Sequence, residues 1–328
     1  MTKQRILSGM RATSPRLHLG NYEGALRPWI VLQEQYEMYC MVADWHVLTT
    51  AAEEHFDVAH NTREVAKDFV AAGLDPDKCA IFRQSDVKEH AELALLLGMV
   101  VGVGKLERTP TYKEKADEVK SGGIVSYGLL GYPVLQAADI LLYKPYAVPV
   151  GRDQAPHLEL SREIGRSFNA LFGEVFPDFK DLINDDELLS KLPGLDMRKM
   201  SKSYGNCIWL NSNADELAEQ IKSAFTTPTK MRKTDPGIPE GCAVCQYLRV
   251  YSPDWERQWA EDVAGERGCM QSKKELTEIL VALLQPIWDR RAQLDDATIE
   301  DILQRGAERA RATAAQTMDE VRTAMKLK

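Results

Sequence analysis

Tyr39-Cys40-Met41-Val42-Ala43 is an unbroken apolar run, and Cys79-Ala80-Ile81-Phe82 is a second. Short runs that are apolar at every position suit strands buried on both faces, as in a parallel sheet. The chain between them predicts one helix over residues 57–72, and Asp75-Pro76 marks the turn that follows. Upstream, Arg5-Ile6-Leu7 reads as a short strand broken at Ser8-Gly9. Gly20 then opens a helical stretch in which Tyr22, Leu26, Trp29, Ile30 and Leu32 lie close to helical spacing. Downstream, residues 89–103 read as a helix. Strand, helix, strand, helix in this order implies parallel pairing with right-handed crossovers. The expected architecture is a doubly wound α/β sheet whose ligand lies beyond the carboxyl ends of the strands.

After about Asn211 the texture changes. Residues 214–225, 274–291 and 299–325 have the pattern of amphipathic helices, and strand signals stop. The expected division is a Rossmann-like catalytic domain over residues 1–212 and an all-helical C-terminal domain over residues 213–328. The last helix is rich in alanine and suited to packing back on the first domain.

The chain has 328 residues, 44% hydrophobic and 27% charged, which is ordinary globular composition. No apolar run of about 18 residues is present, so no membrane helix is expected. Residues 1–6 lack an apolar segment of signal-peptide type, so the cytoplasm is the expected location. A net charge of −8 argues mildly against a nucleic-acid partner, although a local basic surface would suffice for one.

Two constellations carry chemistry. His18-Leu19-Gly20-Asn21 follows the first strand and heads the first helix. A helix N-terminus favours phosphate, a glycine lets a nucleotide approach the backbone, and His18 and Asn21 can donate to phosphate oxygens. An ordinary loop-to-helix junction explains these four residues equally well when taken alone. The second is Lys199-Met200-Ser201-Lys202-Ser203, followed by Tyr204-Gly205-Asn206. Two lysines three apart among small hydroxyl residues suit a mobile loop that closes on a triphosphate and neutralises leaving pyrophosphate. A solvated basic turn is the plain alternative. It loses because this pentapeptide is rare and both constellations occur together, in order.

On these residues the chain resembles the class I aminoacyl-tRNA synthetases. His18 to Asn21 looks like their HIGH motif, and Lys199 to Ser203 is their KMSKS motif letter for letter. The resemblance covers essentially the whole chain and is closest to the tryptophanyl group. It rests on residues 20–27 (GNYEGALR), Asp44-Trp45-His46, residues 132–143 (YPVLQAADILLY) and residues 148–154 (VPVGRDQ), continuing through residues 157–162 (HLELSR).

The resemblance implies roles. Asp139 would accept a hydrogen bond from the indole N–H, a group with one donor and no acceptor. Tyr132 and Gln154 match positions near the substrate ammonium, and His46 a neighbouring pocket residue. Leu7 and Val150 would form apolar walls, and Gly9 would let the substrate lie against the backbone. Gly151 and Asp153 match positions around the ribose, with Lys113 or Lys115 as a weaker phosphate contact. Lys199, Met200, Ser201, Lys202, Gly20, Asn21 and Arg11 would hold ATP, with Lys199, Ser201, Lys202 and His18 serving catalysis. ATP with Mg²⁺, L-tryptophan and tRNA(Trp) are the implied substrates, and a homodimer the implied assembly, formed through the segment after Lys105. The helical domain would bind the anticodon, with Lys222, Lys230, Arg232 and Lys233 as candidates.

The chain also departs from the pattern. Residues 12–16 (ATSPR) replace a Pro-Thr-Gly turn, which puts the shape of the ATP-side loop in doubt. Arg11 replaces a common glutamine, and Arg152 a common glutamate. Gln136 stands where many bacterial members carry methionine and where tyrosyl enzymes carry a glutamine. Among the tryptophan-binding positions it therefore keeps a tyrosyl enzyme open as an alternative. So does a paralogue that activates tryptophan for a partner protein. A nucleotidyltransferase of similar fold is disfavoured by residues 132–139.

Cys242 and Cys245 form a C-x-x-C pair, with Cys269 beyond it. Some tryptophanyl enzymes carry a four-cysteine iron–sulfur site here, and Cys242 and Cys269 look like two of its ligands. The closing position is Ser272, and residues 260–264 offer no cysteine. No iron–sulfur cluster or resident metal is therefore expected.

Overall fold

In the computed structural model, residues 3–51, 57–109, 112–113, 125–183, 189 and 192–328 are described. The sheet contains β1 (Arg5–Arg11), β2 (Glu37–Ala43), β3 (Cys79–Arg83), β4 (Ala147–Val150) and β5 (Lys180–Ile183). Their order is β3-β2-β1-β4-β5, all parallel. The chain leaves β1 in one direction to reach β2 and returns to its other side for β4. The switch point between β1 and β4 is where such a sheet opens a crevice.

The expected break at Ser8-Gly9 does not occur. β1 pairs with β2 from Arg5↔Glu37 through Gly9↔Met41 to Arg11↔Ala43. Ser8 Oγ donates to Pro149 O at 2.9 Å, so a residue that reads as a turn former instead ties β1 to β4. At Gly9 a Cβ would stand 3.2 Å from Met41 O, so glycine keeps the strands in register.

Around the sheet run α1 (Leu19–Asn21), a π-turn at Tyr22–Leu26 and α2 (Arg27–Leu32), a continuous helical stretch. Then come α3 (Trp45–Ala51), α4 (Val58–Ala72), α5 (Glu89–Gly98), α6 (Val103–Leu106), α7 (Tyr127–Leu141) and α8 (Ala155–Phe172). Asp57 caps α4 by accepting from His60 N at 2.9 Å, and Gly73, at φ +127°, ends it. The helix expected over residues 89–103 stops at Gly98 and resumes only at Val103. Gly98 and Gly102 bracket the gap, and glycine is costly inside a helix.

After β5, every described helix or strand is helical: α9 (Ala214–Ser223), α10 (Ala243–Tyr251), α11 (Trp255–Val263), α12 (Cys269–Arg291) and α13 (Asp296–Ala324), with short 3₁₀ turns between. Asn213 caps α9 by accepting from Glu216 N at 2.8 Å, and Asp295 caps α13 by accepting from Thr298 N at 2.7 Å.

Side chains alternate across the sheet. Ile6, Met38, Cys40 and Val42 face a core that includes Trp29, Phe69 and, from α12, Leu276, Leu280 and Leu284. Leu7, Tyr39, Met41 and Phe82 face a second core with α7, α8 and the Ala307, Ala310 and Ala314 side of α13. α13 lies so close to β3 that a Cβ on Gly306 would stand 1.9 Å from Ile81 O. Tyr39 Oη meets Thr313 Oγ1 across this contact at 2.9 Å. Among the described residues no helix is long and apolar enough to cross a membrane.

Candidate functional site

At the carboxyl ends of β1 and β4 lies a cavity of about 630 Å³. Leu7, Gly9, Arg11, His18, Gly20, Asn21, His46, Tyr132, Gln136, Asp139, Val150, Gly151, Gln154, Lys199 and Met200 all line it. Residues chosen from separate stretches of sequence thus share one space. A second cavity of about 620 Å³ adjoins it, sharing Arg11, His18, Asn21 and Met200 and adding Ser201 and Lys202. The side chain of Asp153 and all of Lys115 lie outside the described residues. Lys113 is described and exposed, and it does not line either cavity.

One end of the larger cavity is built on α7. Tyr132, Gln136 and Asp139 stand at i, i+4 and i+7, one face of that helix. Asp139 is 2% exposed. Its Oδ2 is 2.9 Å from His46 Nε2, and its Oδ1 is 2.7 Å from His90 Nδ1. Gln84 Nε2 donates to both carboxylate oxygens at 2.9 Å. Burial by itself would push the Asp139 carboxyl up. His90 and His46 outweigh it and hold the group down at about 2, so it is a carboxylate at neutral pH. A carboxylate accepts at about four positions, so three donor groups leave room for another. Asp44 sets the entry of α3: its Oδ1 accepts from Trp45 N and Ser85 N, each at 3.0 Å, which fixes the helix that carries His46.

The other end joins the two motifs. Leu19 N donates to Ile208 O, and Leu210 N to Leu17 O, each at 2.8 Å, so the chain beyond Lys202 lies along the head of α1. His18 Nδ1 accepts from Asn21 N at 3.2 Å, which leaves Nε2 to carry the proton and donate outward. Burial first, and the nearby Lys202 second, lower the His18 pKa to about 4, so this ring is a neutral donor. At Gly20 a Cβ would stand 3.1 Å from His18 Nδ1 and 3.5 Å from Met200 Sδ. A side chain there would press on the His18 ring.

Asn206 holds the lysine loop in shape. Its Oδ1 accepts from Ser201 N at 2.9 Å, and its Nδ2 donates to Lys199 O at 3.1 Å and Asp196 Oδ1 at 2.6 Å. Gly205, at φ +64°, supplies the left-handed turn before it. Lys202 Nζ donates to Thr13 Oγ1 at 3.2 Å. Burial, opposed by Cys207 and assisted by Arg11, lowers the Lys202 pKa to about 8. Lys199 is exposed beside it. Arg11 meets cleft solvent but is ringed by protein, and this enclosure lowers its pKa, with Tyr132 opposing. A polar space lined by Lys199, Lys202, Arg11 and the His18 donor can stabilise negative charge on phosphates.

Sequence reading missed Gln84, His90 and Asn206. Each lies far in sequence from, or to the side of, the group it orients, and no short spacing announces it. It also overreached at Lys230. That ammonium is buried, sits 3.3 Å from Asp262 Oδ1 and donates to Asp235 O at 2.7 Å and Asp262 O at 3.1 Å. It is an internal tie, taken out of reach of any partner. Cys242 and Cys245 are buried. A hydrogen bond from Cys245 first of all lowers the Cys242 thiol to about 7, while the same contact and burial push Cys245 well up. Among the described residues no group of three or more His, Cys, Asp or Glu is placed to hold a metal ion.

Residues 1–285 match the family described as tRNA synthetases class I (W and Y). The tryptophan–tRNA ligase of Thermotoga maritima is 46% identical over 329 residues, covering 98% of this chain and 99% of that protein. The tryptophan–tRNA ligase of Aquifex aeolicus is 40% identical over 397 residues, covering 98% and 100%. The crystal structure of tryptophanyl-tRNA synthetase from Campylobacter jejuni, complexed with ADP and tryptophan, superposes with a TM-score of 0.87 at 32% identity. That superposition covers 98% of this chain and 99% of that one.

Proposed function

This chain belongs to the class I tRNA synthetases of the tryptophan and tyrosine group, and from that membership and the site we infer that it is a tryptophan–tRNA ligase. It activates L-tryptophan with ATP and transfers it to tRNA(Trp). One observation carries the amino-acid assignment. An ionised, fully buried carboxylate, Asp139, lines a cavity that Arg11, His18 and Lys199 line as well.

Asp139 is assigned to receive the indole N–H, with His46 beside it. Leu7 and Val150 form the apolar walls and Gly9 the floor. Tyr132, Gln136 and Gln154 line the same cavity toward the substrate's polar end. In that position tryptophan's carboxylate points to the basic end, where ATP is assigned to lie against Gly20, Asn21, Arg11, Gly151 and the lysine loop, with Asp153 kept as a ribose contact.

In the first step the carboxylate attacks the α-phosphorus and the bond to pyrophosphate breaks. No side chain has to act as nucleophile. Positioning and electrostatic stabilisation carry the rate. The neutral His18 Nε2–H, Lys199, Ser201 and Lys202 are assigned to donate to the phosphoryl oxygens and leaving group. Mg²⁺ bound with ATP supplies further charge neutralisation. In the second step a hydroxyl of the tRNA 3′-terminal ribose attacks the mixed anhydride and AMP leaves.

Residues 1–212 are assigned to this chemistry and residues 213–328 to the anticodon, with Lys222, Arg232 and Lys233 as exposed candidates. A homodimer is assigned to the segment after Lys105, most of which lies outside the described residues, together with the adjoining Leu95, Met99 and Val103, apolar side chains that are more than half exposed in the single chain. The site of protein synthesis, the cytoplasm, is the corresponding location. The function is tested by amino-acid-dependent exchange of pyrophosphate into ATP and by tRNA charging. Both should proceed with tryptophan and fail with tyrosine. Exchange with tyrosine would overturn the assignment.

A further inference from the structure

His90 takes no part in the assignments above. It is fully buried and lies outside the cavity lining, on the first turns of α5. It is nonetheless closely engaged. Nδ1 is 2.7 Å from Asp139 Oδ1, and Nε2 is 2.8 Å from Tyr143 Oη. The ring lies against Phe82 and Tyr143, with centroids 6.2 Å and 5.5 Å away. Tyr143 is itself buried, and burial, with the Asp139 charge, pushes its phenol well up, so it keeps its proton.

These facts assign the protons. An ionised Asp139 cannot donate, so His90 Nδ1 must carry a hydrogen and donate to it. The Tyr143 hydroxyl has a proton to place. Among the described residues its oxygen has no hydrogen-bond partner other than His90 Nε2. All three groups are satisfied when Tyr143 donates to Nε2 and Nδ1–H donates to Asp139, so Tyr143 holds the ring, the ring holds the donor, and the donor holds the carboxylate.

The two oxygens of Asp139 are served differently. Oδ2 meets His46, which lines the cavity, while Oδ1 is turned to His90, behind it. Gln84 bridges both oxygens and therefore does not choose between rotations of the carboxylate. His90 does. We propose that His90 is the positioning residue for amino-acid selection: by donating from Nδ1 to the rear oxygen of Asp139, it keeps the front oxygen of the carboxylate aimed at the indole N–H. This rests on the assignment of Asp139 to that N–H.

A donor at the Nδ1 position is the essential feature, and the two amide side chains separate it from bulk. The Asn amide nitrogen falls near the place of Nδ1, and that of Gln near Nε2. H90N therefore restores the donor, and H90Q and H90L remove it. The readout is pyrophosphate exchange with tryptophan and with β-(benzothiophen-3-yl)alanine, in which sulfur replaces the indole N–H. In H90Q and H90L the preference for tryptophan over the sulfur analogue should fall about 10- to 100-fold, the range for losing one hydrogen bond to a charged group. The loss should lie in KM for tryptophan, with KM for ATP within about twofold. H90N should keep the preference within about threefold. Either H90Q or H90L suffices if the other does not fold.

Equal losses for both amino acids would show that His90 only fills space and would overturn the proposal, as would an Asn variant no better than Gln. D139N is run alongside. If D139N loses the preference and H90Q keeps it, the proposal fails and the Asp139 assignment stands. If D139N keeps the preference, both fail.

Discussion

Raising the pH through 8 should weaken ATP use by this enzyme. The group responsible is Lys202. Burial lowers its pKa from 10.5 to about 8, so holding the ammonium charged in the free enzyme is unfavourable. That cost is offset when a triphosphate arrives beside it. In the free enzyme the charged fraction falls about tenfold per pH unit above the pKa, and kcat/KM for ATP should follow it. The limb in kcat should appear at higher pH, because bound phosphate restores the proton. The contribution of Lys202 to stability moves the other way. Between pH 8 and 10.5 the folded state binds fewer protons at this site than the unfolded chain, so this contribution rises with pH. Cys207, raised from 9.0 to about 11, opposes it above pH 9, where its thiol ionises only in the unfolded chain. His18, lowered to about 4, stays neutral throughout. The assay is pyrophosphate exchange against ATP concentration at saturating tryptophan, from pH 6.5 to 9.5, with thermal unfolding measured in the same buffers. K202R supplies the control, since a guanidinium keeps its charge there. Its profile should stay flat where the wild type falls, whatever its absolute rate. The reasoning is refuted if K202R shows the same limb or if the wild type shows none.

Three further outcomes follow from the geometry. N206A removes the side chain that holds Ser201 N, Lys199 O and Asp196 together, and should lower kcat/KM for ATP about 10- to 100-fold with KM for tryptophan unchanged, since small misplacements of catalytic groups cost this much; exchange kinetics against each substrate will show it. G20A places a Cβ 3.1 Å from His18 Nδ1 and should raise KM for ATP about tenfold or more, readable in the same assay. G306A sets a Cβ 1.9 Å from Ile81 O, which forces α13 off β3 and should destabilise the fold by about 1–3 kcal/mol in denaturant unfolding, with the tryptophan preference intact.

The parts of this structure that were legible in the sequence are those written in local pattern. β2 and β3 announce themselves as apolar runs, and α4, α9 and α13 as helical stretches, although their Asp57, Asn213 and Asp295 caps are seen only in the structure. β1 was cut short because Ser8 and Gly9 read as turn formers. Only the partner strands reveal that one is hydrogen-bonded to Pro149 and the other is needed for close packing on Met41. β4 escaped because Pro149 lacks the donor a strand is expected to offer. The same contrast holds in the site. Tyr132, Gln136 and Asp139 share a helix face, so their grouping can be counted off. His90 and Gln84 reach Asp139 from other elements, 49 and 55 residues away, and only tertiary packing brings them there. Lys230 shows the reverse error. A lysine in a basic stretch reads as a solvated charge until its burial against Asp262 is seen.

The account rests on tryptophan lying with its ring at Asp139 and its carboxylate toward the lysine loop. A crystal structure of the protein with tryptophan and a non-hydrolysable ATP analogue tests this most directly. The account predicts the indole nitrogen within hydrogen-bond distance of an Asp139 carboxylate oxygen, with phosphate oxygens at His18 and Lys202. An indole nitrogen facing any other group, with Asp139 bonded only to His46, His90 and Gln84, would contradict it.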